Sequence, residues 1–170
     1  MRYFVLGAPE ITLIAVGSAI VLALIFFIII FASIKGKIKS LSKKTDECAY
    51  ELFKALNARH ELLKELTSRK DSLKKYEEEV NQIDVPVVVS SIDEKNTYYN
   101  SLIKYDAFDQ ISAEAQIEIH ASDDLINELI DKYNFLADSF NKEISSWPSS
   151  MIAKTYGYGH KVKFLKNSQK

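Results

Sequence analysis

Residues 11 to 34 read ITLIAVGSAIVLALIFFIIIFASI, an unbroken run of 24 residues without a charge. About 20 apolar residues in a helix, rising about 1.5 Å each, cross the hydrocarbon of a bilayer. The core helix of a soluble protein would be shorter and would carry a polar stripe. A cleaved signal peptide is the rival reading, but its apolar stretch is only about 7 to 15 residues and a small-x-small site follows it. Here the run is too long, and Phe31-Ala32-Ser33-Ile34 is a poor cleavage site. The expectation is a retained transmembrane helix over 11–34, preceded by a short extracytoplasmic N-terminus, 1–10.

The flanks set the expected orientation. Only Arg2, Glu10 and the amino terminus carry charge before the span. After it comes KGKIKSLSKK, with Lys35, Lys37, Lys39, Lys43 and Lys44 and no acid. Lys and Arg close to a span stay on the cytoplasmic side. The chain is therefore expected to be single-pass in the cell membrane, N-terminus outside, with the rest cytoplasmic. The basic juxtamembrane segment, 35–44, either fixes topology alone, the simpler reading, or also touches anionic headgroups, at about 1 kcal/mol per charge.

Beyond the span the composition is helical. Gly is absent from residue 37 to residue 156. From 45 to 82 the apolar residues Leu52, Leu56, Leu63, Leu66, Leu73, Tyr76 and Val80, followed by Ile83, recur in steps of three, four and seven, one stripe of a long amphipathic helix. That helix could run straight on from the span. Pro86 stops it, because proline disfavours the helical conformation at the residue before it. Val85-Pro86-Val87-Val88-Val89 reads as an extended connection, and Ser90, Ser91 and Asp93 are cap residues for a second helix carrying Ile92, Tyr99, Leu102, Ile103 and Phe108. A break at 106–112, with Ser112 as N-cap, precedes a third helix ending near Trp147. Its stripe is Ile119, Ile126, Leu129, Ile130, Tyr133, Leu136, Ala137, Phe140, Ile144 and Trp147. Ser122-Asp123-Asp124 is also a good helix start, which leaves open whether 112–121 joins the last helix. Helices with one apolar stripe each bury those stripes against one another. The predicted fold class is therefore all-α: one transmembrane helix, then an antiparallel three- to four-helix bundle over 45–147 with a long first helix, and an aromatic, basic tail over 148–170. The long first helix leaves part of its stripe for a second copy or a protein partner.

Charge excludes one class of partner. Residues 45–147 hold 11 Lys and Arg against 22 Asp and Glu, and an acidic surface of this kind repels nucleic acid. The tail holds five lysines and no acid, so it meets an acidic surface, either its own bundle, the simpler reading, or a partner's. The lone Cys48 makes no intrachain disulfide and no cysteine-based zinc site. No phosphate-binding Gly-rich loop, nucleophile elbow or H-E-x-x-H pair occurs, and His60, His120 and His160 are widely separated. No catalytic set, metal site, cofactor or small-molecule substrate is identified. The least implausible catalytic pair is Arg59 with His60.

One pattern stands out near the C-terminus: Tyr133-Asn134, Phe140-Asn141, Ile144, Trp147-Pro148-Ser149-Ser150, Ala153, Gly157-Tyr158 and Phe164. It resembles the C-terminal signature of LemA family proteins. Upstream, Asp123-Asp124-Leu125-Ile126 and the stretch from Leu56 to Leu62, including Arg59, are similar to two further motifs of that family. Lys64 stands where the family usually has proline, Ala58 replaces an arginine, and Ser150 replaces an asparagine. The resemblance implies a cytoplasmic helical bundle on a single span with no established enzymatic activity. Members are often encoded near membrane metallopeptidases. The implied roles are a scaffold or adaptor that binds protein or itself, or an accessory regulator of a membrane metallopeptidase or envelope-stress system. Physically, Tyr133, Phe140 and Trp147 are seven apart and are expected as core anchors of the last helix. Asn134 and Asn141 are expected to bond a neighbouring helix's backbone, and Gly157 and Gly159 to permit a sharp turn.

Overall fold

A computed structural model describes residues 8–69, 71–87, 91–105 and 113–164 of the chain. The first helix, α1, runs from Ala8 to Arg69 without a break, 62 residues that correspond to about 93 Å at about 1.5 Å per residue. It carries the whole apolar run and continues as the first helix of the packed region. Among the described residues it is the one helix long and apolar enough to cross a membrane. The large apolar side chains from Leu13 to Ile30 are exposed to whatever surrounds the helix. Cover begins with the partly buried Phe31 and Ile34 and is complete at Ile38. The packed region thus begins close to the end of the apolar run, upstream of residue 45.

The stripe predicted to extend α1 to residue 82 folds back instead. After Arg69 the chain makes a 3-10 turn, Asp71–Tyr76, and a short helix, α2, Glu77–Asn81. Leu73 and Val80 are buried in the same core as Leu56 and Leu63. The reason lies in the register with the last long helix, α4, Ala113–Ser145. Arg59 bonds Asp123, Glu51 bonds Lys132 and Lys37 bonds Glu143, so α1 and α4 run antiparallel, each step along one matched by a step back on the other. By that register Ala113 lies roughly level with Arg69. A straight continuation would carry Leu73 and Val80 past the start of α4 into water. Periodicity alone cannot tell a longer helix from one that turns back, because both keep the same spacing.

Helix α3, Ile92–Ile103, starts where expected, with Ser91 Oγ accepting from Glu94 N at 3.2 Å. It presents Tyr98, Tyr99 and Leu102 to the core. The predicted break at 106–112 with its Ser112 cap, residues Val88 to Ser90, Phe108 and most of the N-terminal segment 1–10 lie outside the described residues. Residues 113–121 belong to α4, which passes Ser122 unbroken.

The tail differs most from expectation. Beyond Ser145 and a turn at Ser146–Pro148, whose Trp147–Pro148 peptide is cis, the chain forms a further helix, α5, Ser149–Tyr156. Ile152 and Ala153 of α5 pack with Ile38, Phe140 and Ile144 in a second cluster. Gly157 closes α5 at φ 71°, a left-handed conformation that glycine adopts without steric cost. The segment 158–164 then runs back along α4 and buries Phe164 between Tyr99 and Tyr133.

Candidate functional site

Two asparagines hold the returning tail. Asn141 donates from Nδ2 to the Lys161 carbonyl at 2.8 Å and accepts at Oδ1 from the Lys161 N–H at 2.8 Å. Asn134 does the same to Phe164, at 3.0 and 2.8 Å. An amide side chain has one acceptor and two donors and can therefore replace a strand partner for one backbone residue. Tyr133 adds a bond from its hydroxyl to the Val162 carbonyl at 2.9 Å, and burial, followed by the charge of Asp46, pushes its phenol up to about 12. The backbone that these residues satisfy belongs to the tail, not to a neighbouring helix as the sequence led us to expect. Seven-residue spacing placed both asparagines on one side of α4 but carried no information about which segment would lie there. Lys161 and Lys163 reach Asp46 and Asp138, at 2.7 and 2.8 Å, so the basic tail folds onto its own acidic helices.

Trp147 is the clear correction. It is 77% exposed, whereas Tyr133 and Phe140 are buried. The heptad that groups the three holds only while the helix continues, and α4 ends at Ser145, ahead of Pro148. Trp147 therefore leaves the stripe, and Ile152 and Ala153 from α5 pack against Phe140 and Ile144 instead. Of the remaining motif residues, Ile144 and Ala153 are buried, Tyr158 meets the Phe140 ring edge-on at 6.2 Å, and Leu62 is half-buried against the main core.

Arg59 and His60 sit deep in the main core, each 1% exposed. Arg59 pairs with Asp123 at 3.1 Å and donates to the Ile119 carbonyl at 3.4 Å. A buried guanidinium needs such a partner, since an uncompensated buried charge is costly. Two stretches that stood out separately in the sequence thus meet across α1 and α4. His60 Nε2 lies 2.9 Å from the Val80 carbonyl, which can only accept, so Nε2 carries the proton. The Tyr98 hydroxyl donates to Asn57 Oδ1 at 3.1 Å and lies 3.1 Å from His60 Nδ1, within hydrogen-bond distance of both. Burial raises the Tyr98 phenol well above its ordinary value. This network ties α1 to α2 and α3. Nothing in the sequence named Val80 and Tyr98 as its partners.

The basic juxtamembrane segment is partly absorbed into the fold. Lys37 pairs with Glu143 at 2.5 Å, and Ser149 Oγ donates to the same carboxylate at 2.8 Å. The Lys37 bond holds the Glu143 carboxyl below its usual range, against the opposing effect of its burial, and the Ser149 bond assists. Lys35 lies 4.0 Å over the Tyr156 ring, and Lys43 pairs with Glu47 at 3.5 Å. Lys39 and Lys44 are exposed, Lys39 lining a shallow open groove with Asp46, Glu47, Tyr50 and Tyr158. Cys48 is buried, its thiol pKa raised by that burial and its Sγ 3.7 Å from the Leu129 carbonyl. Among the described residues no three His, Cys, Asp or Glu side chains gather as a metal site would require.

The described chain is thus an all-helical protein with one apolar N-terminal helix long enough to span a membrane. No family profile matches the chain, and no curated protein or solved structure is significantly similar to it.

Proposed function

We propose that the protein is a single-pass membrane scaffold or adaptor, LemA-like, with a helical bundle on the cytoplasmic face and no catalysis of its own. The observation that carries this reading is the continuity of α1. One helix leaves the apolar run and becomes the spine of the packed helices, with Arg59, His60 and the motif asparagines all spent on internal contacts. The lysines from 35 to 44 and the near absence of charge before the span support an inward-facing domain. Its partner is a protein or a second copy of the chain, and the acidic surface of 45–147 argues against nucleic acid.

Affinity purification from detergent-solubilised membranes, followed by chemical cross-linking of intact cells, tests the reading. A reproducible, stoichiometric protein partner or self-association is the expected result. A co-purifying membrane metallopeptidase would favour the role of accessory regulator. A chain that purifies alone and yields no cross-link would sink the scaffold reading. Protease added to intact cells is expected to leave residues 45–170 whole, and their digestion would reverse the orientation.

A further inference from the structure

We propose that the α4–α5 turn and the outer face of α5 form a second membrane contact, seated at the headgroup boundary of the bilayer that α1 crosses. The inference rests on the membrane reading of α1. Its independent basis is where the fold places an otherwise unexplained apolar face.

Glu143 meets Lys37 across the antiparallel pair. Two residues further along α4, Ser145 is level with Lys35, the first charge after the apolar run. Helix α4 thus points at the bilayer and ends at its expected surface. Trp147 follows at the tip of the turn, 77% exposed. Met151, in the first turn of α5, is 55% exposed, and Tyr156, under the Lys35 ammonium, is 49% exposed. Ser149, Ile152 and Ala153 of α5 are buried against α1 and α4, and Tyr156 closes that same side of the helix under Lys35, so Met151 is the apolar residue on the outward side of α5. Residues 144–170 contain no acid, and Lys142 and Lys154 are exposed.

Trp and Tyr are the residues that collect at membrane–water boundaries, where an amphipathic ring has one end in hydrocarbon and one in water. Lysines at that level meet anionic headgroups. A protein partner would find this face only by sharing it with the lipid surface at the same level. The bilayer is the occupant already there.

Trp147 is the only tryptophan in the chain, so its fluorescence reports on this face alone. The full-length chain is reconstituted into phosphatidylcholine–phosphatidylglycerol vesicles whose acyl chains are brominated either near the headgroup or near the bilayer centre. Quenching is expected to be severalfold stronger with the shallow bromines than with the deep ones, and aqueous iodide is expected to quench weakly. Met151→Glu, at an exposed position, is expected to reduce the shallow quenching severalfold. Strong iodide quenching with no effect of bromine would overturn the proposal by placing the face in water. A blue-shifted emission that neither quencher reaches would overturn it by placing a second copy over the tryptophan. Alkaline carbonate washing of the same vesicles separates the two readings. A retained chain with a water-exposed Trp147 defeats only the second contact, and a chain washed off the vesicles defeats the membrane anchor as well.

Discussion

Asn141 exchanges two hydrogen bonds with Lys161 and so joins those two backbone groups to α4. Asn141→Ala leaves that N–H and carbonyl unsatisfied where they are part-buried, an expected loss of about 1 to 3 kcal/mol. Thermal unfolding of the reconstituted protein measures it, and an unchanged midpoint would mean that the clamp is not formed. Phe140 and Trp147 are expected to behave oppositely although both belong to one apparent heptad. Phe140→Ala empties the centre of the second cluster and should cost about 3 to 5 kcal/mol. Trp147→Ala changes an exposed side chain and should stay within about 0.5 kcal/mol in a fragment that begins at Lys35, where no apolar span and no interface are present. Glu143 supplies a pH dependence. Its folded pKa is depressed by Lys37, so it stabilises the fold fully above its unfolded value, about 4.3, and that contribution is lost as pH falls through the lower folded value. The stability advantage of the native chain over Glu143→Gln, measured across an acid series, is expected to shrink below about pH 4.3, and an advantage that grew on acidification would reverse the sign.

Elements were legible in the sequence wherever their periodicity was uninterrupted and their ends carried strong chemistry. The apolar run, the Ser91 cap, the stripe of α4 and the stop before Pro148 were all readable in this sense. The fold-back after Arg69 was not, because Leu66 and Leu73 keep a seven-residue step on either side of it, and the cause lies in where α4 starts. Helix α5 was hidden for another reason. Eight residues between proline and glycine are too few for a stripe, and its helicity depends on packing Ile152 against Ile38 and Phe140, which are distant in sequence. The candidate site was legible as a set of residues but not as a set of contacts: Tyr133, Asn134 and Asn141 were singled out, while the tail backbone they bind was not. Within α1, Gly36 beside the second cluster is a weak point, and a Cβ there would meet nothing within 4 Å. Gly in a helix interior costs about 0.5 to 1 kcal/mol relative to Ala, so Gly36→Ala should raise stability by about that amount. A loss on that substitution would mean that the helix bends at Gly36 in the working protein.

The whole molecule has no separable neck between its apolar run and its packed helices. Ile38 is fully buried, and Lys37 and Leu41 also belong to contacts with α4 and α5. A soluble fragment beginning at residue 45 therefore discards part of the second cluster. It should unfold at lower denaturant than one beginning at Lys35, with a deficit of about 2 kcal/mol or more from the missing Ile38 alone. Equal midpoints for the two fragments would show that residues 35–44 are a mere tether. The unbroken α1 also makes the protein a lever. From Lys35 to Arg69 the helix projects about 52 Å beyond the apolar run, at about 1.5 Å per residue. Transmembrane helices tilt by about 20° on average, and a tilt of that size sweeps the far end of such an arm sideways by about 18 Å. Successive residues also turn by about 100°, so the compass bearing of the packed helices is locked to that of the lipid-facing side chains. On the proposed membrane reading, a neighbour that grips one flank of the span always meets the same flank of the domain, and a change in bilayer thickness that tips the span is read out, magnified, at its far end.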